Sequence, residues 1–181
     1  MKRHILLVGA PGCGKTTVIR RTVEILLARG VRIYGFWTGE VRDDSRRRLG
    51  FDIESVAGER AVMAHVDFAH GPAVSKYRVD IETIDRVAVA EMRRALSEGG
   101  RAAILIIDEI GKMELFSPAF RDIAAAAMDS PLRVLATAMA KPHPFVDGIK
   151  RRRDVEVVTI THASRDALPE LLARELIGVS G

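Results

Sequence analysis

Four short apolar runs punctuate the chain, at 5–8, 103–107, 132–137 and 155–160. Each is rich in leucine and β-branched residues and lacks polar alternation, the pattern of parallel strands covered on both faces. Helical spacing fills the intervals. Over 15–29, Val18, Ile19, Val23, Leu26 and Leu27 share one side, and Gly30 offers a C-terminal cap. Ile84, Val87, Ala88, Met92 and Leu96 predict a helix over 83–98, ended by Gly99-Gly100. Ser117-Pro118 places a cap and a first-turn proline before a helix reaching about 128. Leu168, Leu171, Leu172 and Leu176 predict a last helix over 166–176. Strands alternating with helices imply a three-layer α/β domain. Residues 31–66 break the alternation and read as two extended segments around a polar turn at 43–48, a β-hairpin excursion antiparallel to the main sheet. Residues 69–80 read as a loop.

The first strand runs directly into Gly9-Ala10-Pro11-Gly12-Cys13-Gly14-Lys15-Thr16-Thr17, followed by the first amphipathic helix. This is a complete G-x-x-x-x-G-K-T phosphate loop in the strand–loop–helix setting it requires. Gly9, Gly12 and Gly14 permit backbone torsions and close approach that a Cβ would obstruct. The loop N–H groups and the positive helix end then surround phosphate. Lys15 is placed to reach the β- and γ-phosphates, and the Thr16 hydroxyl to ligate Mg²⁺. Cys13 reads as a small filler. The alternative is a thiol activated by the helix end, blocked by an alkylator and protected by nucleotide.

A second signal lies at the carboxyl end of the 103–107 run, where Asp108-Glu109 follows four aliphatic residues. An aspartate there is suited to hold Mg²⁺, and an adjacent glutamate to polarise water for in-line attack. A kinase must exclude water, so this pair favours a hydrolase. The G-x-P-G-x-G-K form is also that of adenylate kinases, which keeps a nucleotide or nucleoside kinase open. Such an enzyme needs an arginine-rich lid over the acceptor; the one candidate, Arg46-Arg47-Arg48, lies in the hairpin and not in a central lid. A third reading is a nucleotide-switched module that binds RNA or a protein.

Composition narrows the setting. The 181 residues are 48% hydrophobic and 29% charged, enough to bury one substantial core. One domain over 1–181 is expected. No apolar stretch approaches the roughly 20 residues of a membrane span, and the run at 5–8 is too short for a signal-peptide core. A single cysteine excludes an internal disulfide framework, and the cytoplasm is the default location. The net charge of +4 concentrates in Arg46–Arg48 and Lys150–Arg153. No aromatic residue interleaves with either cluster, so a solvated surface is favoured over nucleic-acid binding.

With these motifs in place, the chain resembles the THEP1-type nucleoside-triphosphatase family. The matching segments are GAPGCGKTT, GFWTGEVRD at 35–43, LGFDI at 49–53, IIDEIGKMELFSPAFRD at 106–122 and HPFVDGIKRR at 143–152. The resemblance implies a RecA/AAA-like P-loop core with a mostly parallel sheet and an inserted β-hairpin. It implies slow, Mg²⁺-dependent hydrolysis of several nucleoside triphosphates to the diphosphate and phosphate, with ATP and GTP as the expected substrates and CTP and UTP as further candidates; a monomer is expected. Carried over by position, residues 9–17 would bind the triphosphate, with Thr16 and Asp108 in the metal shell. Glu109 would act on the water. Ile104, Leu105, Ile106, Ile107, Ile110 and Gly111 would line the back of the site, and Lys112 either stabilises γ-phosphate charge or is a surface lysine. Arg42 either reaches phosphate or pairs with Glu40, and His143 is either a site residue or a solvated loop residue. Ser164 stands where the family typically has asparagine, either loosening a base contact or capping the last helix.

Overall fold

The computed structural model describes residues 2–178. One nine-stranded sheet runs through them, from strands β1 (His4–Val8), β2 (Ile33–Arg42), β3 (Arg48–Ser55), β4 (Arg60–His65), β5 (Ala73–Val74), β6 (Tyr77–Val79), β7 (Ile104–Ile110), β8 (Arg133–Ala138) and β9 (Val155–Thr159). Their order is β5-β6-β4-β3-β2-β7-β8-β1-β9. The strands from β2 to β9 in that order pair in parallel, and the extension from β2 to β5 is antiparallel throughout.

The helices are α1 (Lys15–Ala28), α2 (Ile81–Ile84), α3 (Ala90–Glu98), α4 (Pro118–Asp129), α5 (Pro144–Lys150) and α6 (Leu168–Ile177). A π turn, Asp85–Val89, joins α2 to α3, and a 3-10 turn, Glu114–Phe116, precedes α4. On one face, Val18, Ile19, Val23 and Leu26 of α1 and Leu172 and Leu176 of α6 pack on Ile104 and Ile106 of β7. On the other, α2 to α5 cover Leu105 and Ile107. Successive β7 side chains therefore enter opposite cores, as three layers demand. Fully burying each such aliphatic side chain contributes roughly 1.5–3 kcal/mol.

Three expectations change. The segment at 31–66 holds three strands instead of two. The first half of β2 pairs in parallel with β7, Ile33 opposite Ile104 to Trp37 opposite Asp108. Its second half forms the hairpin with β3, so β2 belongs to the parallel core and to the excursion together. Residues 69–80 hold β5 and β6, because Ala64 pairs with Val79 and prolongs the sheet. The last helix starts at Leu168, with Ala167 at its N-cap, and not at 166. Elsewhere local chemistry holds: Gly30 takes φ 73° beyond α1, and the Ser117 hydroxyl accepts from the Phe120 N–H at 2.9 Å to cap α4.

Candidate active site

The phosphate loop lies at the carboxyl end of β1, between two strands and a helix that fix its shape. Gly12 and Gly14 take φ of 76° and 100°, which a side chain would strain. The Cys13 N–H donates to the Ala10 carbonyl at 3.2 Å, and the Val18 N–H to Gly14 at 3.0 Å. Ala10, Pro11, Gly12 and Thr17 are exposed along the rim. Cys13 is buried, its sulfur 2.7 Å from where a Gly9 Cβ would stand. The thiol is thus a filler under the loop. Lys15 Nζ donates back to the Gly9 carbonyl at 3.2 Å and stands 3.8 Å from Glu109 Oε2.

Asp108 is 1% exposed at the end of β7, two strands from β1. The ladder between β7 and β8 shifts register between Ile107 and Ile110 at this point. Asp108 Oδ1 accepts from the Thr137 hydroxyl of β8 at 2.6 Å, while Oδ2 is buried without a hydrogen-bond partner among the described residues. Burial pushes the carboxyl above its ordinary range, opposed by the Thr137 and Thr16 hydroxyls and the Lys15 charge. Glu109 is also raised, first by burial, with Lys15 opposing and Asp108 reinforcing. An unpartnered carboxylate oxygen with a threonine hydroxyl approaching the same group is an all-oxygen donor set. It suits a hard divalent cation shared with substrate phosphates.

The remaining expected residues divide. Ile104, Leu105, Ile106, Ile107 and Ile110 are at most 1% exposed within the two cores. Their side chains belong to the cores behind the site. Gly111, just past the end of β7, lies against the carboxylates of Glu109 and Glu114. A Cβ there would meet Glu114 Oε2 at 2.7 Å and Glu109 Oε1 at 3.1 Å. Lys112 is exposed, with no ion pair or hydrogen bond recorded among the described residues. Arg42 and Arg48 both pair with Glu40, so the hairpin motif is an ion cluster beneath its own turn. Arg48 is tied further to the Tyr77 hydroxyl at 3.1 Å, and Arg46–Arg48 build no lid. His143 caps α5 by accepting from the Phe145 N–H at 3.2 Å. Ser164 closes a turn with Thr161 (3.1 Å from the Thr161 N–H) and does not cap α6.

Two neighbours of the site escaped the sequence reading. Thr137 ends an apolar run level with Asp108, a hydroxyl that only the β7–β8 register makes meaningful. Glu114 is 3% exposed, and burial holds its carboxyl up at about 8. A cleft of about 1040 Å³ lies at the opposite end of the parallel strands, among Arg3, Arg133, Glu156 and Leu176. Phosphate binding through exposed backbone N–H groups at a helix N-terminus requires no such cavity.

A protein-family model described as NTPase matches residues 4–173. The chain belongs to this NTPase family. Within it, nucleoside-triphosphatase THEP1 of Thermofilum pendens is 41% identical over 177 residues, 96% of this chain and 95% of that protein. The crystal structure of THEP1 from Aquifex aeolicus superposes with a TM-score of 0.85 at 35% identity, over 96% of this chain and 98% of that one. The solution structure of a human cancer-related nucleoside triphosphatase gives 0.84 at 34% identity, over 99% and 100%. The P-loop NTPase fold is thus shared across nearly the whole family chain.

Proposed function

We propose that this chain is a single-domain, Mg²⁺-dependent nucleoside-triphosphatase that hydrolyses ATP, GTP and related triphosphates to the diphosphate and phosphate. The observation that carries the reading is the convergence of Lys15 and Glu109 at 3.8 Å beside the buried Asp108. The names of its relatives support the same reaction.

In this reading the loop N–H groups and the α1 terminus hold the phosphates. Thr16 and Asp108 Oδ2 would hold the Mg²⁺, which when bound neutralises phosphate charge. Lys15 lies along the floor of the loop, its ammonium on the Gly9 carbonyl, and swings onto the β- and γ-phosphates as they arrive. Its departure releases Glu109, whose carboxylate then accepts a hydrogen bond from the attacking water and takes up its proton as the water oxygen bonds to the γ-phosphorus and the bond to the β–γ bridging oxygen breaks, that oxygen leaving on the diphosphate. Burial has raised the basicity of that carboxylate towards what a general base needs at neutral pH. No arginine is paired with these groups among the described residues. A supplied arginine is worth on the order of 10³–10⁵ in related reactions, so turnover by the isolated chain is expected to be slow.

The test is phosphate release from ATP, GTP, CTP and UTP with Mg²⁺ or with chelator, for the parent and Glu109→Gln. The variant should bind nucleotide and lose about 10²–10⁴ in rate. Normal hydrolysis by Glu109→Gln would remove the glutamate from its role. Phosphate found only on an added nucleoside acceptor would mark a kinase instead.

A further inference from the structure

The phosphate cradle has two ends, and the sheet order distinguishes them. The loop leaves β1, and β7 with Asp108 and Glu109 stands two strands to one side. Lys15 is drawn towards that side, 3.8 Å from Glu109, so the reacting phosphate belongs there. β9 flanks β1 on the other side. A triphosphate lying around the loop with its γ end towards β7 therefore delivers its nucleoside to the segment joining β9 to α6.

That segment is built against the cradle. The Ile160 N–H donates to the Val8 carbonyl at 2.8 Å, and the Ile160 carbonyl lies 2.8 Å from where a Gly9 Cβ would stand. Arg21 of α1 pairs with Asp166 at 3.2 Å. Between these anchors Arg165 lies back over the loop. Its Cδ is 3.3 Å, and its Nη1 4.0 Å, from the place a Gly14 Cβ would occupy. The glycine at φ 100° thus leaves the room in which the arginine stem rests. Among the described residues the guanidinium has one loose partner, Asp166 at 3.6 Å, and the side chain is 43% exposed. Ser164, one residue earlier, spends its hydroxyl on the Thr161 N–H and hydroxyl, at 3.1 and 3.2 Å, which takes it away from any base edge.

A guanidinium is a flat, permanently charged plate that stacks on aromatic rings, and every nucleobase has such a face. We propose that Arg165 is the nucleoside contact of this site, stacking on the base of a bound nucleoside triphosphate irrespective of which base it is. Phosphate affinity stays with residues 9–17, and base tolerance follows from a plate that reads no base edge. The inference rests on the nucleoside-triphosphatase reading above and adds how that site holds its substrate.

The test compares the parent with Arg165→Ala and Arg165→Lys by calorimetric titration with ADP, GDP, CDP and inorganic tripolyphosphate, each with Mg²⁺. Loss of one stacked base by alanine substitution corresponds to a weakening of about tenfold. Both variants should show it for all three nucleotides, with tripolyphosphate affinity unchanged. In turnover, KM should rise with kcat nearly constant, because the contact is equal in ground and transition states. An equal loss for tripolyphosphate, or full rescue by Arg165→Lys, would make Arg165 a phosphate ligand and overturn the proposal. Unchanged nucleotide affinity in both variants would overturn it as well. A parent that bound tripolyphosphate but no nucleotide would overturn this inference and the triphosphatase reading together. Normal arginine-dependent binding without phosphate release would overturn only the latter.

Discussion

Thr137 of β8 donates its hydroxyl to Asp108 Oδ1 at 2.6 Å and leaves Oδ2 as the carboxylate's one unpartnered oxygen. The bond orients the carboxylate by holding Oδ1 towards β8. Thr137→Val keeps the shape and removes the donor from a buried acceptor. It should cost about 1–3 kcal/mol in urea unfolding and raise the Mg²⁺ concentration needed for half-maximal phosphate release. An unchanged Mg²⁺ requirement would show that Asp108 keeps its orientation without Thr137.

The buried Glu114 sets a pH dependence of stability. Its folded pKa is raised from 4.5 to about 8, chiefly by burial, with Glu109 and Asp108 adding repulsion. Between those values the folded state retains a proton that the unfolded chain releases. Stability from this group is therefore complete below about 4.5 and falls as pH rises to about 8, by at most about 1.4 kcal/mol per pH unit. Glu114→Gln, which stays neutral, should flatten that slope in denaturation curves collected across the interval. A slope that survives the substitution would assign it to other groups.

The isoleucines of β7 are core, and their substitutions should behave accordingly. Ile106 is 0% exposed against α1 and α6. Ile106→Val should lower stability by about 0.5–1.5 kcal/mol while leaving nucleotide affinity within error by calorimetry. A clear affinity change at constant stability would return the strand to the lining of the site.

The basic run at 150–153 separates into structural and solvent-facing members. Arg152 pairs with Asp129 at 2.7 Å and Asp154 at 3.0 Å and donates to the Met128 carbonyl at 2.9 Å. Arg153 is exposed. Arg152→Ala should destabilise by about 1–3 kcal/mol through its charge-assisted bonds. Arg153→Ala should stay within about 0.5 kcal/mol. Equal melting shifts for the two would show that the ion pairs around Arg152 add nothing.

Much of this site is local in the chain, and for that reason was legible. A phosphate loop is nine consecutive residues whose torsions, N–H groups and lysine need no distant partner to be understood. Asp108-Glu109 announces itself by ending a run of aliphatics. The double use of β2 was not legible. Ile33 to Phe36 is buried on both sides and Thr38 to Arg42 is not, yet only the pairing partners, β7 and then β3, explain the change. Likewise, β5 and β6 are too short to show a period and exist because the edge of β4 accepts them.

The sequence by itself determined that residues 9–17 are a complete phosphate-loop motif between a strand and a helix, and that two adjacent carboxylates end a later buried strand. Those features depend on residue type and adjacent spacing. Only the tertiary structure decided that Lys15 faces Glu109, that Thr137 turns Asp108, and that Arg165 lies across Gly14. Each of these joins residues from different strands or loops, and their distance apart is set by sheet order and register, which no local pattern encodes.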